Sequence, residues 1–245
     1  ENWRNKIGKE DVKQFIITSA YGQSGGDWPR GQKAAIVLWR LTIEGDVRNQ
    51  PETQGVYKNR DRHAEAYFLD HLNEKLENAK LENTKVTAIH VKLVQNYSPC
   101  GDCAQDIINL RNRLKNQAIN FSFEIKFANV YKDYDEPNRK GLVKLSKTDD
   151  VVLDLFQGEN DWEEFLDTYV NVNPDEKMEL LDRARSTGRA INEQQGKKIF
   201  EDITTSGKLK AIEQYSYRTK QILVCIYISH RRLSFENMMH SAPHS

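Results

Sequence analysis

Asn96-Tyr97-Ser98-Pro99-Cys100-Gly101-Asp102-Cys103 holds two of the three cysteines in the chain. Ser98 followed by Pro99 reads as a helix N-cap and a first helical position. That reading puts Cys100 and Cys103 on one face of a first turn. The partial positive charge of a helix start favours thiolate over thiol there. A thiolate pair so placed suits a redox dithiol. It equally suits half of a structural zinc site, with a thiol such as Cys225 to close it, or part of a catalytic zinc site. The spacing alone leaves all three open.

The upstream stretch His63-Ala64-Glu65 decides between them. On its own a histidine at a helix start is usually a solvated residue or a cap. Joined to Pro99-Cys100-x-x-Cys103 across one helix and one strand, it completes the H-x-E…P-C-x-x-C signature of zinc nucleobase deaminases. The chemistry accounts for each residue type. One imidazole and two thiolates hold Zn²⁺ and leave a fourth tetrahedral position for water, whose pKa the metal lowers. Glu65, beside the metal but not on it, moves the proton from water to the ring nitrogen and then to the departing ammonia. A redox pair needs none of this.

Periodicity supplies the elements that must carry these groups. A helix is expected over 11–20, then a Gly- and Ser-rich loop over 21–33, a strand over 34–45 and a weaker one at 55–57. Ala64, Tyr67, Phe68, His71, Leu72 and Leu76 fall at helical spacing, so a helix runs to about residue 80. The apolar run 86–95 reads as a central strand, and 100–115 as the helix opened by the cysteines. Alternation of Phe121, Phe123, Ile125 and Phe127 gives a strand over 121–130. A helix near 137–147, a strand at 151–156, a helix over 161–170 and a helical stretch over 175–203 follow. Strands and helices alternate, which makes an α/β protein, and the helix between the last two strands permits a parallel crossover. A turn is expected at 204–207 and a late strand at 221–229, where Cys225 is read as a buried, inert thiol.

Over residues 11 to 200 the chain resembles the AID/APOBEC polynucleotide cytidine deaminases. HAEAYFLDHL, NYSPCGDCAQDI, FEIKFANVYKDYDEPNRKGLVKL and DWEEFLDTYV appear in the same order. The resemblance implies a cytidine-deaminase-like three-layer fold. Its five-stranded mixed sheet is flanked by about six helices, with the last two core strands parallel. It also implies one zinc per chain on His63, Cys100 and Cys103, with Glu65 catalytic, and single-stranded DNA or RNA as substrate. Tyr97 stands where the family has tryptophan, at the wall of the base pocket, and Ser98 matches the serine near the exocyclic amino group. Tyr131 matches the aromatic that reads the neighbouring base. The family asparagine near the end of the first helix has no counterpart in IITSAYGQ, and residues 204–245 lie outside the resemblance. A deaminase domain over 1–203 with a C-terminal extension packed on it is the expected organisation.

With 36 basic and 36 acidic residues the chain has no formal net charge, which argues against non-specific coating of long polyanions. A local rim remains available: Trp28, Arg30 and Lys33 in the first loop, with Lys58, Arg60 and Arg62 ahead of the zinc histidine. Asp27, Asp61, Asp133 and Asp135 offset it. No apolar run approaches the roughly 20 residues of a membrane helix. Glu1-Asn2-Trp3-Arg4 lacks a methionine and an apolar signal core, as expected of a processed chain. A cytoplasmic or nuclear protein fits, as does a secreted one with its leader removed. Two other functions share the zinc motif: a free cytidine or tRNA adenosine deaminase, and a zinc-stabilised nucleic-acid binder without turnover. The binder has no use for Glu65.

Overall fold

The computed structural model describes residues 3–4, 7–19, 35–46, 53–169 and 173–205. The expected rim residues Trp28, Arg30 and Lys33, the strand at 221–229 and Cys225 lie outside the described residues, as does the C-terminal extension beyond Thr205.

The strands are β1 (Trp3–Arg4), β2 (Ile36–Gly45), β3 (Thr53–Lys58), β4 (Val86–Tyr97), β5 (Asn120–Asn129) and β6 (Val151–Leu155). They form one sheet in the order β1-β3-β2-β4-β5-β6. The half from β1 to β4 is antiparallel, while β4–β5 and β5–β6 are parallel. Phe123 lies opposite Val151 and Phe127 opposite Leu155 in the last pair. The five-stranded mixed core with parallel final strands is as expected, and β1 adds a two-residue edge to it.

Helices α1 (Lys9–Ser19), α2 (Ala64–Leu81), α3 (Gly101–Asn116), α4 (Glu136–Ser146) and α5 (Gly158–Tyr169) follow the apolar periodicity within a few residues. The expected single helical stretch over 175–203 is instead two helices, α6 (Pro174–Ala184) and α7 (Thr187–Thr205). Ser186 causes the break. Its hydroxyl accepts the Arg189 N–H and its carbonyl accepts the Ala190 N–H, so it caps a new helix. Of the turn expected at 204–207, Thr204 and Thr205 belong instead to α7, and residues 206–207 lie outside the described residues. The Thr204 hydroxyl donates back to the Phe200 carbonyl at 2.8 Å and leaves the helix intact. None of the described helices is long and apolar enough to cross a membrane.

The period of two along each strand splits the core into two layers. Val37, Trp39, Val91, Leu93, Phe123, Ile125 and Phe127 face Phe68 and Leu72 of α2, Ile107 and Leu114 of α3, and Leu142 of α4. Leu38, Val56, Val94 and Ala128 face the other way, onto Phe15 of α1 and Trp162 and Phe165 of α5. Both layers exclude water, which fixes strand register: a slip by one residue would exchange the two faces. That register sets where the carboxyl ends of β4 and β5 stop, and Tyr97, Ser98 and Tyr131 are placed by those ends.

Candidate active site

His63 and Glu65 come from the start of α2. His63 occupies the cap position with extended backbone, yet its side chain makes no capping bond. Asn59 does that work, its Oδ1 accepting the Ala64 N–H at 2.7 Å. The imidazole is thereby left for another role. Its Nδ1 lies 3.3 Å from Cys100 Sγ and 3.3 Å from Cys103 Sγ.

The cysteines sit at the start of α3, with one change from expectation. The cap is Cys100 rather than Ser98: its sulfur accepts the Cys103 N–H at 3.4 Å, and the helix begins at Gly101. Ser98 is unavailable because its hydroxyl accepts the Tyr131 N–H at 3.0 Å. Gly101 is required for a different reason. A Cβ there would lie 2.7 Å from the Pro137 carbonyl oxygen, so only glycine lets α3 approach the start of α4 this closely. Asn138 closes that junction by accepting the Gly101 N–H through its side-chain oxygen.

The donor atoms of His63, Cys100 and Cys103 lie within 4.8 Å of one another, and among the described residues no fourth His, Cys, Asp or Glu joins them. One nitrogen and two sulfurs on short, fixed helix starts suit a borderline-soft cation that prefers tetrahedral geometry. The two thiols divide their protons unequally. The Cys103 thiol donates to Cys100 and holds it down to about 5, assisted by backbone N–H groups of the helix start and by His63. That shared bond, with burial, pushes Cys103 up.

Glu65 is buried, with 6% of its surface exposed, in the first turn of α2. Burial pushes its carboxyl up to about 7, and the Cys100 thiolate adds to this. A backbone hydrogen bond and His63 oppose the rise. A carboxyl that titrates near neutrality takes and returns protons with little driving-force penalty.

Tyr97 ends β4 and is buried. Its ring meets Tyr131 edge to face, with centroids 6.1 Å apart. Ser98, also buried, donates its N–H to the Asn129 carbonyl at 2.8 Å. The carboxyl ends of β4 and β5 thus present Tyr97, Ser98 and Tyr131 together. Arg62 is placed differently: its guanidinium bonds Asp70 and lies over the Tyr67 ring at 5.6 Å. Lys58 pairs with Asp11 at 3.1 Å.

A family model described as APOBEC3, cytosine deaminase domain, matches residues 37–189. The chain belongs to this family. The matched region runs from β2 into α7 and contains His63, Glu65, Cys100 and Cys103. Compared with curated proteins one at a time, the chain matches none.

Several polar residues at this APOBEC3 site escaped the sequence reading. Asn59 and Asn138 support the two helix starts. Asn96, Asn129 and Arg189 are buried behind the tyrosines. A faint signal existed for two of them, since Asn96 and Asn129 are uncharged polar residues at the carboxyl ends of two core strands. Arg189 gave none, because in a charged helix it looks like any surface arginine.

Proposed function

We propose that this APOBEC3-family domain deaminates cytosine to uracil in single-stranded DNA or RNA, with zinc held by His63, Cys100 and Cys103. The observation that carries the reading is the meeting of those three donors with a buried, near-neutral Glu65 at two helix starts. Bound zinc supplies a hydroxide nucleophile at neutral pH. Glu65 takes one proton from the attacking water onto a carboxylate oxygen and gives it to ring N3 of cytosine as the C4–O bond forms. It then carries the remaining hydroxyl proton to the C4 amino group, the C4–N bond breaks, and uracil and ammonia result.

Tyr97 and Tyr131 form an aromatic corner against which an extruded base can rest. Ser98 stands between them in the chain and ties the Tyr131 backbone to β4. Trp28, Arg30 and Arg62 complete the proposed substrate rim by contact with phosphates. The domain extends over 1–203, with 204–245 as an extension of it.

A single strand is the favoured substrate because C4 of cytosine is stacked inside a duplex, and extrusion costs a few kcal/mol. A chain with no formal net charge has little electrostatic attraction to offset that cost. The test is a rate comparison by mass spectrometry on single-stranded DNA, single-stranded RNA, duplex DNA and free cytidine. Oligonucleotides without secondary structure should react at least about a hundredfold faster than duplex, as expected from that extrusion cost. Equal rates on duplex would refute the strand claim. Comparable kcat/KM on free cytidine would move the assignment to a nucleoside deaminase.

A further inference from the structure

Arg189 has no place in the chemistry above, yet it is 2% exposed, and a buried guanidinium is expensive unless its donors are used. Nearly all of them are. Nη1 donates to the Ser19 carbonyl at 2.7 Å and to Asn129 Oδ1 at 3.0 Å. Nη2 donates to the Ala128 carbonyl, and Nε to Glu193 Oε1 at 3.1 Å. Glu193 is itself fixed, accepting from Trp162 Nε1 at 2.8 Å and from the Gly158 N–H at 2.9 Å. The Trp162 ring lies beneath the guanidinium at 5.4 Å.

The acceptors are all at one place. Ser19 is the last residue of α1. Ala128 and Asn129 end β5, two residues before Tyr131. Asn129 passes the constraint on: its Nδ2 donates to the Ser19 and Asn96 carbonyls, and its own carbonyl accepts the Ser98 N–H. Asn96 in turn accepts the Ile36 N–H at 2.9 Å and donates to Thr18 Oγ1 at 3.0 Å. The network therefore joins the ends of α1, β4 and β5 to one arginine on α7.

We propose that Arg189 is a positioning residue that holds Ser98 and Tyr131 in register with Tyr97 and so sets the preference for the base beside the target cytosine. This rests on the deaminase reading. No other side chain can do the same, because lysine offers three donors from one atom, and the fork of arginine reaches acceptors on three segments at once.

The test uses the full chain carrying Arg189→Lys, which keeps the charge. Two quantities are read: relative rates on single-stranded oligonucleotides differing only at the base next to the target, and hydrogen exchange of the Ser98 and Tyr131 amides. Zinc content should stay as in the parent. Selectivity between neighbouring bases should fall by about tenfold, in line with the sensitivity of rates to misplacements near 1 Å, and both amides should exchange faster. Arg111→Lys is the control: that arginine is also buried but bonds Asp149 and Asp150, and should change neither quantity. Should Arg189→Lys fail to fold, Asn129→Asp keeps the acceptor for Arg189 and removes the donor to Ser19 and Asn96. It should shift both quantities in the same direction. Parent-like selectivity with parent-like exchange would overturn the proposal. A parent protein inert on cytosine would instead sink the deaminase reading, and faster or unchanged exchange would still decide the role of Arg189.

Discussion

The metal-donor corner and the polar clamp around Arg189 flank the same two strand ends, and they are built in opposite ways. The corner draws on two short stretches, 63–65 and 98–103, each placed by the start of one helix. The clamp gathers Ser19, Asn96, Asn129, Trp162, Arg189 and Glu193, some of them 170 residues apart in the chain. In the corner, reactivity comes from ionisable groups gathered on one another: an imidazole nitrogen in reach of both sulfurs, a shared thiol proton and a carboxyl raised by burial. In the clamp every donor of Asn129 and nearly every donor of Arg189 is used. Chemistry is kept open on one side and geometry is closed on the other.

The largest effect should come from breaking the corner. Cys103→Ser should remove deamination and reduce bound zinc from about one per chain to a small fraction, because soft thiolate is lost from a three-donor set. Elemental analysis of the purified variant beside the parent checks this. Retention of full zinc would show that another group holds the metal.

Breaking the clamp should cost stability with zinc retained. Asn96→Ala deprives the Ile36 N–H of its side-chain acceptor and Thr18 Oγ1 of a donor, and should lower unfolding free energy by about 1–3 kcal/mol. Urea denaturation of zinc-loaded protein measures it. A loss of zinc along with stability would mean that the two regions are one.

The ease of reading these regions in the sequence differed for the same reason. His63, Glu65, Cys100 and Cys103 were legible because their spacing is local and their residue types have few alternative uses in that order. The parallel crossover between β5 and β6 was legible because a helix of the right length separates two apolar runs. The cap of α3 was misplaced by two residues, since nothing local indicates that Ser98 is bonded to the Tyr131 backbone. The break at Ser186 was missed because charged residues on both sides keep helical propensity high. Arg189 and Asn129 could not be read at all. Their meaning lies in contacts that exist only after the sheet and α7 have packed.

Gln95 sharpens the comparison with a smaller effect. It is the chain neighbour of Asn96 but points into the other layer of the sheet, 1% exposed, and neither its amide oxygen nor its nitrogen has a hydrogen-bond partner among the described residues. Replacing an unsatisfied buried amide with an apolar side chain of similar volume removes a desolvation cost. Gln95→Met should therefore raise unfolding free energy by about 1 kcal/mol, opposite in sign to Asn96→Ala one residue away. Destabilisation of similar size would show that the Gln95 amide serves the site in front of it.

The central claim is that Glu65 moves protons beside a metal that it does not hold. Its most direct test is Glu65→Gln, which keeps the size and burial of the side chain and removes the base. Uracil formed in a single-stranded oligonucleotide is measured by mass spectrometry against zinc content in the same sample. Parent protein should form uracil, and the variant should lose at least about a hundredfold in rate with zinc unchanged. Persistent deamination by the variant, or loss of its zinc, would contradict the account.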